Sequence, residues 1–350
     1  MNKIFIIIPA IIITGIMASC VLFDPNDISN KLGKNSNGSG GGGGGGSGNN
    51  WTIYTITNGE FFNGITSSAD GSQLAVGGDA GDIFTSSDYG ATWQLKKNIN
   101  AGILQGITSS ADGSHLFVVD RYYGYISTSA DHGNSWTYPN TILPTDGNWY
   151  CITSSADGSR LASGSVNGDI YISTDFWVDL SKEEFCSGGS YTGIASSADG
   201  SRLAACDQGG DIWASVSGGT NWKDMKTVSG ATSPSTPCYS IASSTNGVYL
   251  AAAAYGGYIW TSVNAGTNWT QHNFSANWNS ITSSADGSHL AAVVSPLSGG
   301  GDIWISSDYG ATWSDQASAG SRIWLSITSS ADGSRLAAVD ETGIVAIYKK

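Results

Sequence analysis

Basic side chains are scarce in this chain. Its 350 residues hold 15 Lys and Arg against 28 Asp and Glu, with only four His. A surface of that sign cannot neutralise phosphates, which excludes nucleic acid and anionic lipid headgroups as partners and favours solubility. Helical periodicity is missing too, since no window sustains apolar residues at i, i+3 and i+4. The five Cys include no CxxC pair and no His partner at metal-ligand spacing. No Asp-x-Asp-x-Asp-Gly loop offers a calcium site, so neither a metal nor a cofactor is expected.

What is present begins with a leader. Lys3 precedes the apolar stretch Ile4–Ile16, which is too short for a comfortable membrane span. Met17-Ala18-Ser19-Cys20 then resembles the lipobox of bacterial lipoproteins, which implies cleavage after residue 19 and a lipid on Cys20. Leu22, rather than an Asp, stands just beyond. By the same resemblance this favours the outer membrane, with the lipid as the only contact to the bilayer. Loss of residues 1–19 removes one Lys and no acid, leaving 14 basic side chains against 28 acidic ones. Residues 20–50 follow as a tether ending in NSNGSGGGGGGGSGNN, which has no side chains to bury. The globular part is expected over 51–350.

That part repeats itself. ITSSADGS begins at Ile65, Ile107, Ile152, Ile281 and Ile327, with IASSADGS at Ile194 and IASSTNGV at Ile241. The starts lie 42, 45, 42, 47, 40 and 46 residues apart, spacings that belong to propeller blades. Each unit reads as four strands. The first ends in an Ala-Asp-Gly turn, expected to carry positive φ at both central positions. A second strand such as RLAAVD, a third such as GGDIWIS and a fourth such as WTQHNF complete it. The expected fold is an all-β, seven-bladed propeller of four-stranded antiparallel blades. The last unit lacks a fourth strand, and WTIYTI at 51–56 has no partner of its own. Pairing the two closes the ring and leaves no open edge.

A second motif, SSDYGATW, joins third strands to fourth at 86–93 and 306–313, with looser copies between them. It resembles the Asp-box (BNR repeat) found in sialidases, other glycosidase propellers and photosystem II assembly-factor propellers. The copies place Asp88, Gly90 and Trp93 in register with Asp131, Gly133 and Trp136, and with Asp308, Gly310 and Trp313. Elsewhere Ser217 precedes Gly219 and Trp222, and Asn264 precedes Gly266 and Trp269. At 173–180 the motif reads STDFWVDL, keeping Asp175 and losing the Gly and final Trp. Ser and Asn preserve a turn but delete an acid, so the motif is read as structural rather than catalytic.

Function is expected on the opposite face, where the second-to-third and fourth-to-first connections lie. Phe62, Trp149, Tyr191, Trp278 and Trp324 open the first strands there, with Leu104 and Cys238 completing the set. They form either a ligand rim or inter-blade packing. Asp82, Asp169, Asp211 and Asp302, with Asp120, Asp207 and Asp340, map to the same mouth as cation-attracting groups or turn caps. Glu60, Glu341 and Arg322 fall in neighbouring connections, with Arg121 further round. A sialidase-like site needs three converging arginines. Arg160, Arg202 and Arg335 sit beside the Ala-Asp-Gly turns, so no such triad assembles and no catalytic residue is assigned. Cys186, Cys206 and Cys238 are either the source of one disulfide or free buried thiols. The sequence thus points to a monomeric, non-enzymatic module binding a protein or a glycan. A glycoside hydrolase of sialidase-like architecture is the alternative.

Overall fold

The computed structural model describes residues 50–56, 61–98, 102–121, 123–137, 148–178, 181–183, 189–225, 236–295 and 301–350. The leader, Cys20, the tether, Glu60, Tyr122 and Cys186 lie outside the described residues.

β-branched and aromatic runs bounded by Gly, Asp and Ser form the strands. Blade 1 consists of Phe62–Ser67, Leu74–Gly78, Asp82–Ser86 and Gln94–Asn98, paired in that order and all antiparallel. The first strands of blades 2 to 5 are Leu104–Ser109, Trp149–Ser154, Tyr191–Ser196 and Cys238–Ser243. In blade 5, Leu250–Ser262 runs through the second and third strands. Thr270–Ser283 then serves blade 5 as its fourth strand and blade 6 as its first. Blade 7 pairs Trp324–Ser329, Arg335–Asp340 and Ile344–Lys349, and Trp51–Thr55 completes it from Trp51↔Tyr348 to Thr55↔Ile344. The expected closure by the N-terminal strand is present. Blade 2 departs from the expected pattern: among the described residues its fourth strand is reduced to one bridge, Thr128 with Thr137.

The core lies between blades rather than inside them. Seven buried apolar clusters occur, each drawn from two adjacent blades. Ala75, Ile83, Leu104 and Val118, for example, join blades 1 and 2. One backbone bond per seam runs alongside. Ala69 N–H donates to the Ala111 carbonyl, Ala111 to Ala156, Ala156 to Ala198, Ala198 to Thr245, Thr245 to Ala285, Ala285 to Ala331 and Ala331 back to Ala69, all at 2.7–2.8 Å. The cycle has seven members and no gap.

These donors sit in the Ala-Asp-Gly turns, whose geometry corrects the sequence expectation. Only the Gly has positive φ, Gly71 at 77° and Gly113 at 73°, and no Asp of the turn does. The loop is wider than a two-residue turn: Ser68 N–H donates to Gln73 O at 2.8 Å and Gly71 N–H to Ser68 O at 3.0 Å. Asp70 Oδ1 accepts the Ser68 hydroxyl, the Ser72 N–H and the Ser72 hydroxyl. The same bonds, led by the preceding Ser hydroxyl, hold Asp112, Asp199, Asp286 and Asp332 down at about 2. Asn246 replaces Asp once and still accepts Ser244 Oγ at 2.8 Å and Val248 N–H at 2.9 Å.

The second motif is tied to the first. Tyr89 N–H reaches Ser72 O at 3.1 Å, and its counterparts in blades 2 to 6 do the same at 2.8–3.0 Å. Within the motif, Asp88 accepts Thr92 N–H at 2.8 Å and the Thr92 hydroxyl at 2.6 Å, while Trp93 Nε1 donates to Gly90 O at 3.0 Å. Gly90 has φ 84°, and a Cβ there would lie 2.5 Å from Ile347 Cδ1 of blade 7. Ser217 and Asn264 take over the acceptor role towards Asn221 N–H at 3.1 Å and Asn268 N–H at 2.8 Å. Blade 3 solves the problem differently: Trp177 occupies the glycine position at φ 74° and sends its ring into the seam against Trp149. Blade 7 has no such motif. There the terminal Lys350 N–H donates to Ser334 O at 2.8 Å, and its Nζ lies 3.2 Å from His289 Nε2.

Asp112→Asn is expected to change stability by less than about 1 kcal/mol at neutral pH, whereas Asp112→Ala costs about 1–2 kcal/mol. Urea denaturation of both variants is the check. Because the folded-state carboxylates titrate below their unfolded values, wild-type stability should hold above about pH 4 and fall as pH approaches 2. A wild-type urea midpoint that stays flat from pH 7 to pH 2 would contradict the turn geometry.

Candidate functional site

The face opposite these motifs carries the channel mouth. The large first-strand residues, open from sequence between a ligand rim and inter-blade packing, are not ligand contacts: they pack between blades. Phe62, Trp149, Tyr191, Trp278 and Trp324 are 0–1% exposed, as are Leu104 and Cys238. Each packs into a seam cluster, Trp324 with Val293 and Ala338, for example. A side chain so enclosed cannot touch a ligand without opening the ring.

The acids at the second-strand ends, Asp120, Asp207 and Asp340, resolve into turn chemistry. Asp82, Asp120, Asp207 and Asp340 are buried. Asp340 Oδ1 accepts Thr342 N–H, the Thr342 hydroxyl and Ile344 N–H, each at 2.9 Å. Asp207 Oδ1 accepts Asp211 N–H at 2.9 Å. Arg322 Nη1 reaches Asp340 Oδ2 at 3.4 Å, which ties that arginine to its own blade.

The channel itself is lined by a position the sequence reading passed over. In all seven blades the register of the first strand shifts by one residue just after the large buried position. Such a bulge leaves one residue unpaired and re-aims its side chain. The bulged residues are Asn63, Gln105, Tyr150, Thr192, Tyr239, Asn279 and Leu325, and they line a cavity of about 350 Å³ on the propeller axis. All but Thr192 are half-buried, hence reachable from solvent. Some also hold the neighbouring blade: Asn63 Nδ2 donates to Leu104 O at 3.3 Å, Asn279 Nδ2 to Leu325 O at 2.6 Å, and the Thr192 hydroxyl to Cys238 O.

A second ring surrounds the first. The residue just past each second strand donates its N–H to the residue just before the first strand: Asp79 to Phe61, Arg121 to Ile103, Val166 to Asn148, Gln208 to Ser190, Tyr255 to Pro237, Ser295 to Asn277 and Glu341 to Ile323. Outer and inner rings touch. Asp79 accepts from Asn63, the Arg121 guanidinium lies 5.3 Å from the Tyr150 ring centroid, and Tyr255 stacks on Tyr239 at 4.8 Å. Burial raises the Tyr150 phenol above its ordinary value against the pull of Arg121, and burial raises Tyr239 as well. Arg121 and Glu341 therefore hold one repeat position two blades apart, with Asp79 between them, while Arg322 is engaged elsewhere. Charge occupies the sector of blades 7, 1 and 2, and tyrosine the sector of blades 3 to 5. Tyr123 and Tyr125 stand beside it, 63% and 52% exposed and stacked at 6.1 Å.

A signal for the inner ring was present. Phe62 and Ile65 share one cluster although they lie three residues apart, and strict alternation would send them to opposite faces. One extra residue must therefore be bulged between them, and the same spacing recurs in every repeat.

No family model matches the chain, and neither does any curated protein. Solved structures do share the fold. A structure of YCF48 bound to a D1 peptide is 15% identical, with a TM-score of 0.66 over 87% of this chain and 98% of that one. YCF48 from Cyanidioschyzon merolae is 16% identical at a TM-score of 0.64, over 85% and 98%. The GH74 xyloglucanase from Xanthomonas campestris is 13% identical at 0.64, over 85% of this chain and 54% of that enzyme. At these identities the likeness is one of architecture, a β-propeller.

As a turn cap, Asp340 gives up three donors in Asp340→Ala, two of them on exposed Thr342, so the variant should lose about 1–2 kcal/mol in urea denaturation. Arg322→Gln should cost less than about 1 kcal/mol, because the arginine itself is about a third exposed and Asp340 keeps its turn donors.

Proposed function

We propose that this propeller is a non-enzymatic binding module that holds an extended segment of a protein partner at the channel mouth. A lipid on Cys20 would display it from the cell envelope, with the outer membrane as its site. One observation carries the reading. The inner ring holds Asn, Gln, Tyr, Thr, Tyr, Asn and Leu two residues before the Ile-Thr-Ser-Ser or Ile-Ala-Ser-Ser run, which hardly varies between repeats. Repetition maintains a framework, so a position where the copies diverge is one where each blade supplies its own contact. The seven side chains are uncharged at neutral pH and offer amides, hydroxyls and aromatic faces, which suit peptide backbone groups. They include no carboxylate pair for acid–base chemistry. That a YCF48 structure holds a D1 peptide supports this use of the architecture.

A glycan is the second reading, favoured by Tyr123 and Tyr125. Their exposed, stacked rings present the flat apolar faces on which sugars pack. The GH74 neighbours accord with it.

The deciding measurement sets the full chain against an array of glycans and a library of unstructured peptides. Tyr239→Ala and Gln105→Ala are each expected to weaken the bound class about tenfold, roughly 1.4 kcal/mol. Arg160→Ala, on the turn face, should leave binding unchanged. Loss through Arg160→Ala with the mouth variants silent would put the site on the wrong face. Hydrolysis of a glycan by the chain, abolished in Glu341→Gln, would make it an enzyme. For the anchor, cells fed an alkyne fatty acid should label the wild-type protein and leave Cys20→Ala unlabelled. Equal labelling of the two would remove the lipid from Cys20.

A further inference from the structure

At every seam one second-strand position faces the residue that opens the next blade. Val339 faces Phe62, Val119 faces Trp149, Ala253 faces Trp278 and Val293 faces Trp324, each pair within one buried cluster. Glycine takes the small side at two further seams. A Cβ built on Gly77 would stand 3.2 Å from Leu104 Cβ, and one on Gly164 would stand 2.6 Å from Tyr191 Cβ. Six seams thus follow one rule: a small residue against a large one.

The seam of blades 4 and 5 breaks it. Cys206 faces Cys238, both 0% exposed and in one cluster. Both thiols stand free, and the Cys238 thiol donates to the Ser240 carbonyl at 3.6 Å. The Thr192 hydroxyl is shared between the carbonyls of both residues, which fixes the two backbones together. No large side chain fills this column. Cys206 Sγ and Ser240 Cα each lie 3.0 Å from the Cβ position of Gly193, and the equivalent positions at the glycine seams come within 3.2 and 2.6 Å, so this column admits the Cβ separation of roughly 3.5–4.5 Å that a disulfide needs.

We propose that Cys206 and Cys238 form a disulfide that cross-links blades 4 and 5. The reaction is exchange with a disulfide donor, either a small molecule such as oxidised glutathione or a donor protein. One cysteine thiolate attacks the donor, forming a mixed disulfide and releasing the first donor thiol. The other thiolate then displaces the second. Two protein thiols are oxidised by two electrons and the donor is reduced to two thiols. Burial, reinforced by Cys238, pushes the Cys206 thiol well above its ordinary value, so little thiolate exists once the seam is shut. The bond therefore forms while the chain is still open, and the closed seam then shields it from reductant. Cys151 stands apart, its thiol directed to the carbonyls of Gly164 and Tyr191.

The test needs no knowledge of what the mouth binds, so its failure leaves the binding reading standing. The full chain is reduced in denaturant, refolded in a glutathione redox buffer, alkylated and digested without reductant. A peptide pair joined through Cys206 and Cys238 is expected, with two fewer alkylatable thiols than in the reduced control. Reductant should lower the unfolding temperature of this material by several degrees and leave that of Cys206→Ala unmoved. Recovery of Cys206 and Cys238 as alkylated thiols overturns the proposal, and so does either residue joined to Cys186. If Cys206→Ala fails to fold, the peptide map of the wild-type chain decides alone.

Discussion

Each blade gives one backbone N–H to the next, and the seventh gives its own to the first. This cycle is the constraint on which the rest of the molecule depends. The residues that carry these bonds are exposed or half-buried, so the bonds matter for where they place the blades: each needs a neighbour in a fixed position. The bonds use no side-chain chemistry, so Ala and Thr serve equally at the position. What they demand is the conformation of the turn, held by a buried Ser, a carboxamide or carboxylate two residues on, and a glycine at positive φ. The repeated string SSADGS is the sequence imprint of that demand.

The SSDYGATW motif serves the same end one layer out. Its left-handed residue reaches back to the SSADGS turn, and its glycine lets the neighbouring blade approach. The exceptions show which part is indispensable. In blade 3 a tryptophan accepts the unfavourable backbone conformation and fills the seam itself, at a strain of roughly 1–2 kcal/mol that its burial offsets. In blade 7 the whole motif is gone, yet its backbone bond survives through Lys350. The reach to the turn is kept when every motif residue is lost.

Blade number could be read from the sequence because the SSADGS string or its variant is written seven times, the character of the second motif because its six copies differ, and closure by Trp51–Thr55 because one unit lacks a fourth strand. The channel was legible only in part. Strand alternation assigns Asn63 and its counterparts to a face, but a bulge changes the face, and nothing in Asn or Gln marks a bulged residue. Only the three-residue interval between two buried positions, Phe62 and Ile65, gives it away. The large first-strand residues stayed open between two roles for the opposite reason. An aromatic at a strand start near a mouth suits both a ligand and a seam, and only burial distinguishes them. The acids at the second-strand ends were ambiguous in the same way, since a carboxylate that caps its own turn is spelled like one that faces solvent.

One further consequence follows from the strand that closes the ring. Lys349 N–H meets Asn50 O at 3.0 Å, so the polypeptide enters and leaves the domain side by side. Lys350 lies against His289 and Ser334, among the SSADGS turns, and the third strands run towards that face. Asn50 and Lys350 therefore both lie behind the mouth. A protein or affinity handle fused directly at Asn50 or Lys350 thus starts on the face away from the seven inner residues.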